Sequence, residues 1–355
     1  MEITLIIIGC LLIIFTALPL VRKDHWTFRV FEYPRIQKLA LSILWVILYA
    51  IHADFENKTL LILLVLIIGI IAYLLKQILP FTPLGKKQVY KAENIDDKNN
   101  LKIMISNVYE DNDNYKGCLS VIHLNDPDLV LLLETSHEWD RQTQSLEVDY
   151  KYHVKVPIDN TYGMLLYSKY KILNPQVKYL VEDEIPSIHC QLELPSGQKV
   201  QVYAVHQTPP VPNENPRSTE RDKELLIVAE KAKDCELPVV VIGDLNDVAW
   251  SYTTELFLKM STLLDPRRGR GFYNTFHAKQ PLLQFPLDHA FISADFKLRD
   301  LRKLDNYNSD HFPIFVHIQF EEQAEDQQED NQLEADQQDK KEAAEKRNAD
   351  TSENP

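Results

Sequence analysis

The chain has 355 residues, with 52 acids against 38 lysines and arginines, and a formal net charge of −14 at pH 7. Four cysteines without close spacing exclude a disulfide framework and a Cys/His zinc site. There is no internal repeat and no Gly-rich phosphate loop, which excludes a P-loop nucleotide triphosphatase.

The first 85 residues read as a membrane anchor. Ile3 to Val21 carries no charge and is long enough to cross a bilayer as a helix. Met1-Glu2 supplies no basic residue, which argues against a cleaved signal peptide. Apolar stretches follow at Leu39 to Ala53 and Leu60 to about Leu79, the latter interrupted only by Lys76. Three membrane helices are therefore expected; one span plus a tight hairpin describes the same topology. The first connection holds Arg22, Lys23, Arg29, Arg35 and Lys38, and the second only Lys58. The positive-inside tendency then puts the amino terminus outside and the rest of the chain in the cytoplasm. The alternative is an interfacial segment, because Trp26, Phe28, Phe31 and Tyr33 interleave with the basic residues; an extracytoplasmic domain would then be open.

After an expected linker at 86–98, residues 99–320 hold a series of apolar runs, each ending in polar residues. The runs Leu101 to Ser106, Asp128 to Leu133, Val200 to Val205, Pro238 to Gly243 and Leu282 to Leu287 read as buried strands. At or beyond their ends stand Asn107, Glu134, His206, Asp244 with Asn246, and Asp288, and the set closes with Asp310 and His311. An acid or imidazole at the tip of a buried strand is costly unless something there uses it. Carboxylates, an amide and imidazoles gathered at strand ends would form an oxygen-rich pocket suited to a hard cation such as Mg2+. Helices are expected near Ser218 to Asp234 and Tyr252 to Met260, which makes this an α/β domain. Taken singly, Asn107 and His206 read equally well as structural residues, and Asp247 equally well as a helix cap. His289 and the other histidines read as packing or surface groups.

These motifs, Ser106-Asn107-Val108, Leu133-Glu134, Val205-His206, Gly243-Asp244-Leu245-Asn246-Asp247, Pro286-Leu287-Asp288-His289 and Ser309-Asp310-His311, resemble the endonuclease/exonuclease/phosphatase superfamily over residues 99–320. The resemblance implies a four-layer sandwich of two mixed β-sheets flanked by helices. It implies Glu134 as principal metal ligand with Asn107 and Asp310 in support, and Mg2+ or Mn2+ as the cation. Asp244 and Asn246 would orient water and hold a non-bridging oxygen, Asp288 would pair with His311, and His206 would be the general acid. The acceptor of the proton from water stays open between Asp244 and His311. Leu133 stands where the superfamily commonly has Gln, which removes one supporting contact to the metal ligand.

Arg267, Arg268 and Arg270, in a Gly-containing loop, and Arg217 and Arg221 are candidates to grip substrate phosphates, with exposed solubilising loops as the alternative. The first ninety residues hold 9 bases and 5 acids, and residues 321–355 hold 4 bases and 13 acids, which leaves the region between at −9. A domain that grips duplex nucleic acid usually shows a net basic face. The expected partners are therefore the bilayer and a phosphodiester, whether lipid headgroup, lipid-linked or small. A membrane-tethered nuclease is the runner-up, and a non-catalytic membrane scaffold a third reading. The tail 321–355 is expected to be disordered, with a transient helix around Asp339 to Arg347.

Overall fold

The computed structural model describes residues 2–52, 56–212 and 214–351. Its amino-terminal part is helical. Helix α1 (Glu2–Ala17) continues as a 3-10 turn at Leu18–Val21, a short α2 (Trp26–Arg29) follows, and α3 (Arg35–His52) and α4 (Lys58–Ile78) complete it. Three helical stretches, Glu2–Val21, Arg35–His52 and Lys58–Phe81, are long and apolar enough to cross a membrane. Asn57 caps α4 by accepting from Thr59 N and Leu60 N. The three helices meet around Leu5, Leu12, Trp45, Tyr49, Leu60, Leu63 and Ile67, with the Trp45 indole donating to Leu5 O at 2.8 Å. Their other faces leave many Ile, Leu and Val side chains uncovered. That pattern suits lipid as the surrounding medium.

The second part is built from eleven strands. They are β1 (Asn100–Asn107), β2 (Leu129–Leu133), β3 (Tyr152–Val156), β4 (Met164–Ser168), β5 (Lys171–Lys178), β6 (Ser187–Glu193), β7 (Lys199–His206), β8 (Val239–Asp244), β9 (Asp288–Ile292), β10 (Phe296–Lys303) and β11 (Ile314–Phe320). One sheet has the order β10-β11-β1-β2-β4-β3 and the other β5-β6-β7-β8-β9; each mixes parallel and antiparallel pairs. The sheets face each other across a core that takes Leu101, Ile103 and Ile105 from β1 and Val200, Val202 and Ala204 from β7. Helices α5 (Tyr115–Asn125) and α6 (His137–Thr143) cover the first sheet through Cys118, Ile122 and Trp139 against Met104, Val130 and Leu132. Helices α7 (Thr219–Lys233) and α8 (Tyr252–Ser261) cover the second through Leu225, Val228 and Phe257 against Tyr203, Val205 and Val241. The central strands are buried on both faces, which is why they read as continuous apolar runs rather than alternating ones.

Four expectations change. The second span begins at Arg35 rather than Leu39, because Arg35 and Lys38 donate to the carbonyls of Trp250, Phe31 and Phe15; its expected end, Ala53, lies outside the described residues. Residues 86–98 are not a loose linker: Val89 is in the core, and Tyr90 to Ala92 pair with Leu298 of β10. Leu282–Leu287 is not a strand. Pro281 precedes it, Pro286 interrupts it, and β9 starts only at Asp288. The tail is ordered through residue 351, with α9 (Ala324–Gln328) and α10 (Gln337–Arg347) packed on the domain. Asp336 and Asp339 form a capping box, Ala343 packs with Leu226 and Leu256, and Lys346 pairs with Asp222 at 2.7 Å. A composition argument counts apolar burial and misses an order held by a cap and a few buried ion pairs.

Candidate active site

The two sheets bring the strand ends that carry the polar motif residues to one edge. Asn107 closes β1, Glu134 follows β2, and His206 and Asp244 close the parallel neighbours β7 and β8 in direct register. Strand β9 runs antiparallel to β8, so its first residue, Asp288, lies opposite Asp244. This is how a residue that opens a strand joins residues that close them.

Local backbone geometry aims these groups. Gly243 has φ of 148°, and a Cβ there would stand 1.8 Å from Val205 O, so only glycine lets β7 and β8 approach before Asp244. Glu134, Asn246 and Tyr109 hold positive φ values of 59°, 46° and 64°. Such conformations cost about 1–3 kcal/mol each and cluster where a side chain must be aimed.

Asn107 Nδ2 donates to Glu134 Oε1 at 2.7 Å and to Asp244 Oδ2 at 3.2 Å, while its oxygen accepts from Tyr109 N at 3.0 Å. It braces the two carboxylates and has both ends of its amide engaged. Glu110 N donates to the other Glu134 oxygen at 3.2 Å. Asn246 N donates to Asp244 Oδ1 at 2.8 Å, and the Asn246 amide is fixed by donating to Gln207 O at 2.7 Å. The His311 Nδ1 and Asp288 Oδ2 atoms are 2.8 Å apart, and His311 Nε2 is 3.7 Å from Asp244 Oδ2. Supporting groups that the motifs did not single out hold this chain in place. Thr275 Oγ1 accepts from Asp288 N, Ser309 Oγ donates to Asn107 O, and Asn306 Nδ2 donates to Ser309 O and His311 O.

Charge state follows from burial and neighbours. Burial pushes Glu134 up to about 7, against the lowering hydrogen bond from Asn107. Asp244 is raised, first by burial and then by the like charge of Asp288. Burial pulls the His311 imidazole down, but Asp288 and Asp244 outweigh it and hold His311 up at about 10. His206 is pushed down to about 4 by burial, and its Nδ1 is buried with no partner among the described residues. At neutral pH the site thus holds one imidazolium, His311, beside one neutral imidazole, His206.

The donor set fits a divalent cation. Carboxylate oxygens of Asp244 and Asp288 lie within 4.8 Å of each other, and one carboxylate oxygen each of Asp288 and Asp310 is buried without a partner among the described residues, whereas His311 as an imidazolium offers no lone pair to a cation. A buried carboxylate oxygen left unpaired is costly, and a hard cation would satisfy it.

The arginine candidates are corrected. Arg267 is buried and spends its donors on Asp265, Asp288 O and His289 Nδ1. Arg270 donates to Pro266 O and Val89 O, and Arg268 lies over the Phe81 ring at 5.1 Å. Arg221 is buried among Asp222, Asp247 and Asn246 O. None of these four faces a substrate phosphate, because each serves the fold. Asp247 does not cap α8 itself; Ser251 does, with its hydroxyl donating to Asp247 at 2.6 Å.

Part of the site's support comes from the anchor, a contribution that the sequence reading missed. Tyr33 Oη donates to Asn246 O at 2.7 Å, the Trp250 indole donates to Glu32 O at 3.0 Å, and Arg29 pairs with Asp222 at 3.3 Å, both side chains buried. The segment from Asp24 to Arg35 therefore holds the Asp244–Trp250 loop from behind. The only sequence signal was the cluster of basic and aromatic residues, which reads equally as a membrane-facing connection.

The two-sheet part aligns with solved structures at 14–20% identity, a likeness that concerns the fold alone. The structure of an endonuclease/exonuclease/phosphatase from Bacteroides vulgatus matches at TM-score 0.53 and 17% identity, covering 63% of this chain and 100% of that one. D. rerio TDP2 complexed with a single-strand DNA product matches at 0.51 and 19%, covering 62% and 98%. The human Nocturnin catalytic domain with bound sulfate matches at 0.51 and 18%, covering 64% and 97%. Comparison with curated protein sequences gives no match. The sequence profile of the Endonuclease/Exonuclease/phosphatase family matches residues 104–311, more than half of the chain and all of the strand-end motifs, and the chain belongs to that family.

Proposed function

We propose that the chain is a membrane-anchored, Mg2+-dependent phosphodiesterase that hydrolyses a lipid-headgroup, lipid-linked or small phosphodiester by attack of water. The observation that carries this reading is the Asp244, His311 and Asp288 chain at the meeting edge of the two sheets, with Asn107 linking it to Glu134. Glu134 and Asp310 would hold the cation, which when bound polarises a phosphoryl oxygen and offsets charge growing on the leaving oxygen. Asp244, fixed by Asn246 N, accepts a hydrogen bond from the attacking water and then its proton. His311, held as imidazolium by Asp288, binds a non-bridging oxygen, and the second N–H of Asn246 binds another. The water oxygen bonds to phosphorus, the ester bond to the leaving oxygen breaks, and that oxygen takes up a proton. His206 is neutral in the substrate-free protein, so it can serve as the acid only after the phosphate anion has raised its proton affinity.

Tethering favours a substrate at the bilayer, because it raises the local concentration of enzyme there. The positive-inside distribution of Lys and Arg supports a cytoplasmic face for the domain. The second reading is a tethered nuclease, favoured by the DNA product carried by one structure of the same fold and disfavoured by the −9 charge of residues 91–320. The test is Mg2+-dependent hydrolysis by the full chain in proteoliposomes. Bis-(p-nitrophenyl) phosphate, single-stranded and duplex DNA, and phospholipid are offered in turn, with EDTA and Asp244→Ala as controls. Lipid turnover supports the proposal, DNA turnover transfers it to the nuclease, and activity surviving both controls refutes the site.

A further inference from the structure

The run Leu282–Leu287 is the far side of a loop whose two ends are tied to the catalytic residues. Phe276 N and Thr275 N both donate to Phe285 O, at 2.9 and 3.0 Å, and Ala278 N donates to Asp310 O at 2.6 Å. The Phe276 and His311 rings stand 5.0 Å apart. The loop's tip is different: Leu282 is 85% exposed and Leu283 50% exposed. Isolated exposed leucines are ordinary. What sets these apart is where the tip is held, because Gln37 Nε2 donates to Leu282 O at 2.8 Å. Gln37 lies in the first turn of α3, one of the three helices long and apolar enough to cross a membrane. The tip therefore stands beside the amino-terminal end of that helix. Between tip and site, Lys279 Nζ lies 5.1 Å over the ring of Tyr109, whose backbone N–H holds Asn107, and no acid among the described residues is within ion-pair distance of Lys279.

We propose that residues 277–284 form an interfacial anchor of the active site. The tip inserts Leu282 and Leu283 at the boundary between headgroups and acyl chains, so that the site faces the lipid surface and takes its phosphodiester from a bilayer-resident glycerophospholipid. Lys279 meets the headgroup phosphate on the way in. This rests on the phosphodiesterase reading above for the substrate and on the spanning helices for the placement. Burying the two leucines in lipid removes apolar surface from water, and the fixed position of α3 spares the loop the cost of finding the membrane.

The test uses the full chain in vesicles of phosphatidylcholine and phosphatidylglycerol. Leu282→Cys, with Cys10 and Cys235 replaced by Ser, is labelled with an environment-sensitive fluorophore. Quenching by doxyl-labelled lipid and protection from aqueous iodide are expected; iodide quenching without doxyl quenching overturns the insertion. In parallel, Leu282→Asp/Leu283→Asp should lower hydrolysis of vesicle phospholipid at least tenfold and leave bis-(p-nitrophenyl) phosphate hydrolysis unchanged. An equal fall on both substrates, or no fall on either, overturns the delivery role. A parent chain that hydrolyses neither substrate refutes the phosphodiesterase reading, and the fluorophore still decides insertion.

Discussion

His311 sits between two carboxylates, 2.8 Å from Asp288 and 3.7 Å from Asp244. His311→Ala and Glu134→Ala should each lower turnover by about 10²–10⁴-fold, the range for a positioned acid, base or electrostatic group. Initial rates with unchanged circular dichroism would check that the loss is chemical. A second residue-scale prediction concerns stability. Glu224 is buried, and burial, then the charge of Glu182, pushes its carboxyl up to about 8. A raised carboxyl pKa means that the stability contribution is complete below the ordinary value near 4.5 and is lost as pH rises through about 8. Glu224→Gln should therefore narrow the difference in thermal midpoint between pH 5 and pH 8 relative to the parent chain. An unchanged difference would show that another group sets that slope. At this scale the sequence was informative where function concentrates polar residues at strand ends, as at Asn107, Glu134 and Asp244. It was uninformative for Arg267 and Arg270, because a guanidinium that braces a loop and one that grips a phosphate look alike until their partners are placed.

Between elements, the connection from Asp24 to Arg35 is held to α7 by a buried network of Arg29, Glu32, Arg221, Asp222 and Asp247, joined by Lys346 of α10. Removing one partner of a buried pair costs about 3–5 kcal/mol, because the other charge is left uncompensated. Arg29→Met should destabilise the chain by that order, read from thermal unfolding. Burial alone would raise the Asp222 carboxyl, but Lys346, Arg221 and Arg29 outweigh it and hold it well below the usual range. A depressed pKa contributes stability that is present above about 4 and lost as pH falls below that value. Hydrogen-exchange protection factors of residues 24–35 and of α10, corrected for the intrinsic pH dependence of exchange, should accordingly fall between pH 4 and pH 2, ahead of those of β1 and β7. The strands and the helices at Thr219–Lys233 and Tyr252–Ser261 were legible because their apolar runs and caps are local signals. Leu282–Leu287 misled for the same reason: an apolar run does not say what covers it, and here Phe285 and Leu287 pack with Val248 and Trp250 while Leu282 and Leu283 stand exposed, so no strand forms.

For the molecule as a whole, anchor, catalytic sandwich and tail form one connected structure rather than a domain on a tether. Excision of residues 91–320 removes Tyr33 from Asn246 O, Arg29 and Lys346 from Asp222, and Phe81 from its contact with Trp250. The excised piece should unfold at a lower temperature than the full chain and lose activity. Adding back a peptide of residues 22–38 should restore part of both, and an isolated domain as stable and active as the full chain would refute a structural role for the anchor. From sequence alone came the strand-end motifs, the three apolar helices and the α/β character, since each depends on residues close together in the chain or on strand patterns that burial imposes; the two-sheet sandwich was implied only by the family resemblance that the motifs carry. Only the tertiary structure decided that Asp288 meets Asp244 by opening an antiparallel strand, that the acidic tail is ordered, and that the first membrane connection supports the catalytic loop. Those are pairings between residues from 44 to 213 positions apart, whose energy lies in partners brought together by folding and leaves no mark on the local pattern of either segment.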